Sequence, residues 1–150
     1  MKHQTLNIKQ EEQTTGAVEL SVIIPLGPRY EDLGEICQEL RRILGKLFAH
    51  YEVIFVDDAT GAQPRQILRM LSDRVPEVRV IRLQRRMGES TALAIGSQAA
   101  RGDILLTLDP YLHVSLADVP KILAPLADGV DLACAWRFPR AERGLGAVAS

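Results

Sequence analysis

The chain has 150 residues but only two cysteines, Cys37 and Cys134, and three histidines, His3, His50 and His113. Two cysteines do not make a disulfide framework, and the scattered histidines lack the spacing of a zinc site. Long hydrophobic runs are also missing: nothing approaches the ~20 apolar residues that cross a bilayer. The polar start, Met1 to Thr15, contains no apolar stretch of the kind a secretory signal needs. Charge of one sign is absent as well. Eighteen basic residues stand against 19 acidic ones, a net charge of -1. That balance argues against nonspecific nucleic-acid binding and against a polybasic membrane anchor. The expected compartment is therefore the cytoplasm, with no nucleic-acid partner.

Several chemical signatures are missing too. There is no G-x-x-x-x-G-K-[ST], which excludes a P-loop nucleotidase. No G-x-G-x-x-G follows the first apolar run, where the turn reads Pro25-Leu26-Gly27-Pro28-Arg29, so the dinucleotide fingerprint is absent. There is no G-x-S-x-G nucleophile elbow.

What is present is a regular alternation. Composition is ordinary for a globular chain, with 47% hydrophobic and 25% charged residues. Leu20 to Leu26 is a short apolar run closed by Gly27 and Pro28, and it predicts a buried strand. Apolar residues at Leu33, Ile36, Cys37, Leu40, Ile43, Leu44 and Leu47 then follow helical spacing. Tyr51 to Val56 predicts a second strand, stopped by Asp57 and Asp58. Pro64 suits the first turn of a second helix. Val78 to Leu83 predicts a third strand and Gly88 to Ala100 a helix of small residues. Ile104 to Leu108 predicts a fourth strand, stopped by Asp109. Ser115 or Asp118 caps a helix to about Ala127, and Val130 to Trp136 predicts a fifth strand. Apolar strands alternating with helices imply an α/β fold, a mostly parallel sheet with helices on both faces.

Domain limits follow from composition. Residues 1–17 are a polar lead, 18–140 form the domain, and 141–150 read as a linker into a missing C-terminal part. Cys37 and Cys134 are expected to be small core residues. The small residues Thr91, Ala92, Gly96, Ala99 and Ala100 imply close approach of the third helix to the sheet. From Arg65 to Arg86 there are seven arginines and two acids, an excess of five positive charges. This stretch is expected to be mainly a solvated helix face and a charged edge strand, apart from Arg85 and Arg86.

Open parallel sheets bind ligands beyond the carboxyl ends of their strands, where strand order reverses. With the order 3-2-1-4, the Asp57-Asp58 pair and Asp109 flank strand 1 at about two strand spacings, roughly 10 Å. That span suits a nucleotide, although aspartate also ends strands for purely local reasons.

The segments LSVIIP, YEVIFVDDAT and VRVIRLQRRMGESTALAIGSQAARGDILLTLDP together resemble the family 2 glycosyltransferases of GT-A fold. The likeness is nearest to the polyprenyl-phosphate sugar transferases, such as dolichyl-phosphate mannose synthases, and covers about residues 19–140. It implies a Rossmann-like nucleotide-binding half and a nucleoside-diphosphate sugar as donor. Pro25, Asp57 and Asp58 would shape the base pocket; Arg85, Arg86 and Gly88 would lie near the diphosphate. Asp109 matches the first acid of the family's D-x-D motif and would be the catalytic carboxylate, holding Mg²⁺ or Mn²⁺ against the diphosphate. Here the motif reads Asp109-Pro110-Tyr111, so Tyr111 replaces the second acid, and His113 is an alternative ligand or a plain loop residue. The resemblance further implies a polyprenyl-phosphate acceptor and a place at the inner face of the membrane. An incomplete domain would also expose apolar surface and self-associate into a homo-oligomer. A second reading stays open, in which the domain keeps the fold but is a noncatalytic interaction or regulatory module.

Overall fold

In the computed structural model, residues 17–111 and 115–135 are described. The element order is β1 (Leu20–Leu26), α1 (Leu33–Leu44), β2 (Tyr51–Asp57), α2 (Ala62–Arg74), β3 (Val78–Arg82), α3 (Glu89–Ala99), β4 (Ile104–Thr107), a 3-10 turn at Leu116–Asp118 and α4 (Val119–Ala127). All strand pairs are parallel, in the order β3-β2-β1-β4. The α/β fold is observed, and the order is the one under which Asp57, Asp58 and Asp109 flank β1.

The two faces of the sheet arise from the period-2 alternation of the strands. In β1, Leu20, Val22, Ile24 and Leu26 face one core, with Leu33, Ile36, Cys37, Leu40, Ile43 and Leu44 of α1, Leu68 of α2 and Val119 of α4. Ile23 faces the other, with Ile54, Val56, Ile81, Leu83 and Ala92 of α3. Right-handed crossovers explain this division. The chain steps outward from β1 through β2 to β3, which puts α1 and α2 on one face. It then reverses to reach β4, which puts α3 on the other.

The reversal makes α3 cross the centre of the sheet, and its small residues let it approach closely. A Cβ added at Gly96 would lie 2.5 Å from Ile23 Cγ2 and 3.0 Å from Val56 Cγ2. The expected close approach is thus observed at Gly96 itself. Helix α1 starts at Asp32, whose carboxylate accepts from the Gly34 and Glu35 amides at 2.8 and 3.0 Å.

Four expectations are corrected. Residues 130–135 form no strand: Val130 and Leu132 are 44% and 77% exposed, and Cys134 is exposed rather than core. The run has strand-like composition, but among the described residues no chain pairs with it, and an extended segment without a ladder partner is not a strand. The apolar face of α1 stops at Leu44, leaving Leu47 exposed beyond the helix end. Ser115 caps the 3-10 turn through the Ala117 amide, whereas Asp118 makes no side-chain cap for α4. Trp136, the lead 1–16 and the segment 136–150 lie outside the described residues.

The amino ends of the strands are clamped by Glu52, which is 2% exposed inside otherwise apolar β2. Its carboxylate accepts from Ser21 Oγ at 2.7 Å, Arg79 Nη1 at 2.6 Å, the Arg101 amide at 2.8 Å and the Arg101 guanidinium at 3.1 and 3.2 Å. Burial pushes the carboxyl pKa up, but the bonds from Arg79, Ser21 and Arg101 outweigh burial and hold it below its ordinary value.

Two outcomes follow. Because the folded pKa of Glu52 is depressed, its contribution is complete above the ordinary value of 4.5 and is lost as pH falls through the folded value. Glu52→Gln is therefore expected to cost about 1–3 kcal/mol at neutral pH and to flatten the acid limb of stability, as read by urea denaturation across pH. Gly96→Ala is expected to lose about 1–2 kcal/mol from overpacking, although helix propensity alone favours alanine by about 1 kcal/mol; an equal or higher denaturation midpoint would refute the close packing.

Candidate functional site

The carboxyl ends of the strands carry the site, and Pro25 starts it. Along β1 the carbonyls of odd-numbered residues face the β4 side: Ile23 accepts from the Leu108 amide, as Glu19 just before the strand accepts from the Ile104 amide. Pro25 is next in that series and has no N–H to give. The β1–β4 pairing ends at Ile23 with Thr107, while the β1–β2 pairing runs on to Leu26 with Asp57. A crevice therefore opens between β1 and the chain leaving β4.

Two cavities share this crevice. One, of about 350 Å³, is lined by Pro25, Arg29, Asp58, Arg86, Gly88, Glu89, Asp109 and Tyr111, among others. The other, of about 420 Å³, lies toward the start of α2 and is lined by Tyr30, Asp58, Thr60, Gly61, Gln63 and Arg86, among others. Asp58 and Arg86 border both.

The two acids at the end of β2 differ sharply in placement. Asp57 is fully buried and lines neither cavity. Its Oδ1 accepts from the Thr60 amide at 2.8 Å and the Thr60 hydroxyl at 2.6 Å, and its Oδ2 accepts from Arg82 Nε at 3.2 Å. These bonds shape the turn in which Ala59 adopts φ 54°, a left-handed conformation that costs an alanine roughly 1–2 kcal/mol. Asp58 turns to the other side. Its Oδ1 accepts from the Met87 amide at 2.6 Å and its Oδ2 from the Gly88 amide at 2.9 Å. This grip fixes the loop that leads into α3.

Gly88 takes φ 90° and ψ 160° at the N-cap of α3, a region that only glycine occupies freely. On the opposite wall, Asp109 is exposed, and its Oδ1 accepts from the Tyr111 amide at 2.8 Å. The Glu31 amide donates to the Pro110 carbonyl at 3.1 Å, tying this wall to the loop after β1.

The crevice thus brings together Pro25, Asp58, Arg86, Gly88, Asp109 and Tyr111. Arg85 is exposed and borders neither cavity, and His113 lies outside the described residues. Sequence reasoning missed Arg29 and Glu89, both on the first cavity. Their signal was position alone: Arg29 follows the turn after β1, and Glu89 opens α3.

The site offers both signs of charge and suits a ligand that carries anionic groups and hydrogen-bond donors together. Arg29 and Arg86 supply positive charge, Asp58, Glu89 and Asp109 supply acceptors, and Pro25 and Pro28 give rigid apolar surface. The Gly88 backbone is its most constrained part. Gly88→Ala is expected to cost about 1–3 kcal/mol, from the backbone alone because an added Cβ would meet nothing within 4 Å. Thermal or urea denaturation reads this directly; an unchanged midpoint would show that the loop relaxes without strain.

Comparison with known proteins agrees with the geometry. The model for Glycosyl transferase family 2 matches residues 21–145. An undecaprenyl-phosphate 4-deoxy-4-formamido-L-arabinose transferase of Pseudomonas fluorescens is 29% identical over 115 residues, 75% of this chain and 34% of that protein. A dolichol-phosphate mannosyltransferase of Pyrococcus furiosus is 31% identical over 121 residues, 81% of this chain and 34% of that protein. The chain spans about a third of the length of these curated relatives. In fold it is similar to a mannosyltransferase of Pyrobaculum calidifontis solved with GDP-Man and Mn²⁺, at 20% identity and a TM-score of 0.51, covering 78% of this chain and 34% of that one. With the sheet order, the crevice at the strand reversal and the matched span taken together, the chain belongs to glycosyl transferase family 2.

Proposed function

We propose that this chain is the donor-binding part of an enzyme that moves a sugar from a nucleoside diphosphate to a polyprenyl phosphate. The observation that carries the proposal is the crevice beside β1, with Pro25, Asp58 and Arg86 at one end and Asp109 at the other. The acceptor class comes from the relatives, whose names are those of undecaprenyl- and dolichol-phosphate sugar transferases.

The chemistry asks little of a general base, because a phosphate acceptor is already ionised. Catalysis rests on positioning and on stabilising the diphosphate as it leaves. Asp58 is the base reader in this proposal and Asp57 the buried support beneath it. Arg86 and the start of α3 at Gly88 face the diphosphate, with Arg85 beside them in the same loop. Asp109 is the carboxylate nearest the reacting sugar. Among the described residues no helix is long and apolar enough to cross a membrane. A lipid-linked acceptor would still place the site at the membrane surface, on the cytoplasmic side.

Mg²⁺ or Mn²⁺ would find Asp109 as its anchor, since a structural neighbour was solved with Mn²⁺. The donor set does not fit that role well. A hard divalent cation takes oxygen ligands, mainly carboxylates, phosphates and water. Tyr111 offers a neutral phenol where the family's motif has its second acid, and Asp109 Oδ1 already accepts from the Tyr111 amide.

The same tyrosine favours a second reading, a noncatalytic module that keeps nucleotide binding. Calorimetric titration with UDP, GDP and their sugars tests both. One nucleotide is expected to bind at one site, and Asp58→Asn to weaken it about tenfold. Failure of every nucleotide to bind would sink the donor-site reading. Binding without sugar transfer to a polyprenyl phosphate would favour the module.

A further inference from the structure

We infer that this crevice neutralises a nucleoside diphosphate with the guanidinium groups of Arg29 and Arg86 rather than with a divalent cation. The inference rests on the donor-site reading above and goes beyond it in naming the source of positive charge.

The carboxylates on the first cavity are Asp58, Glu89 and Asp109. Each oxygen of Asp58 accepts one hydrogen bond, from the Met87 and Gly88 amides, which commits this carboxylate to the loop before α3. One oxygen of Asp109 accepts from the Tyr111 amide. A cation held on a diphosphate needs only one or two protein carboxylates, so the decision falls on the pair of positions that begins at Asp109. The second acid expected after Asp109 is a tyrosine, and the residue between them is Pro110, which offers no side-chain donor atom. A phenol is a poor ligand for a hard cation.

The arginines show the opposite pattern. Other guanidiniums are already paired: Arg82 with Asp57 at this end of the sheet, and Arg79 and Arg101 with Glu52 at the far end. Arg29 and Arg86 are exposed on the cavity and make no hydrogen bond or ion pair among the described residues. They approach from different elements, Arg29 from the loop after β1 and Arg86 from the loop before α3. A guanidinium matches two phosphate oxygens at once and keeps its charge at any physiological pH. Two of them carry the same formal charge as one divalent cation, set among the three carboxylates of the same cavity. Binding a diphosphate here breaks no existing ion pair.

The test is calorimetric titration of the chain with the nucleoside diphosphate that binds it, once with excess Mn²⁺ and once with EDTA. The two dissociation constants are expected to agree within about twofold, and affinity to fall as salt screens the arginines. Arg29→Gln and Arg86→Gln, both exposed, are each expected to weaken binding about tenfold or more with the melting temperature unchanged. Tyr111→Asp restores a second carboxylate and is expected to make binding stronger in Mn²⁺ than in EDTA. A tenfold or greater gain in wild-type affinity with Mn²⁺, or wild-type affinity in both arginine variants, would overturn this inference while leaving the donor-site reading intact. Absence of binding in both arms would overturn that reading and this inference together.

Discussion

The grip of the Asp58 carboxylate on the Met87 and Gly88 amides is the contact on which the site depends. A parallel sheet leaves the carboxyl ends of its strands connected only by loops. Here one side chain at the end of β2 reaches across to the loop that follows β3 and sets where α3 begins. Once α3 is fixed, Ala92 and Gly96 press on the sheet and the wall bearing Arg86 is in place. The bond from the Glu31 amide to the Pro110 carbonyl does the matching job on the β4 side. Two local ties, one on each side of β1, hold the crevice open at a defined width.

The far end of the sheet is held by a different device of similar logic. Glu52 gathers Ser21 of β1, Arg79 of β3 and Arg101 before β4 around one buried carboxylate. Such a group costs desolvation, and it is tolerated because every neighbour donates to it. Gly102 belongs to the same arrangement: its amide donates to Ser21 Oγ at 2.9 Å, and an added Cβ would lie 2.6 Å from the Ser21 nitrogen. The sheet is thus clamped by charge at its amino ends and by carboxylate–amide bonds at its carboxyl ends, with an apolar core between.

This division explains what could be read from the sequence. The strands and helices follow from apolar spacing, because burial on one or two faces leaves a periodic trace; the order of the sheet leaves none and comes from the structure. The crevice followed as well, since Asp57, Asp58 and Asp109 sit at strand ends and the order reverses at β1. Pairing left no such trace. Glu52 looks like one polar letter in an apolar strand, and its partners are 27, 31 and 49 residues away. Asp57 and Asp58 look equivalent in sequence. Their side chains point to opposite sides because they are neighbours at a strand end, and only the fold shows that one meets Arg82 and the other the α3 loop. Ala59 shows the limit most plainly, since nothing about an alanine announces a left-handed turn. The run after α4 misled for the reverse reason: it has strand composition, but composition does not supply a partner.

The floor and the rim of the crevice answer to different constraints. The floor is backbone: the missing N–H at Pro25, the left-handed Ala59 and the extended positive-φ Gly88. Few residues can replace these without strain, so the shape belongs to the fold. The rim is side chain: Arg29, Arg86, Glu89, Asp109 and Tyr111 are all exposed, so they change at little cost to stability. Chemistry can therefore shift on a constant frame, which is how one fold comes to host several site designs. Tyr111 sits on that rim beside Asp109, where an acid would be expected. Its phenol is neutral where a carboxylate would be charged, so its presence bears on how the site handles charge.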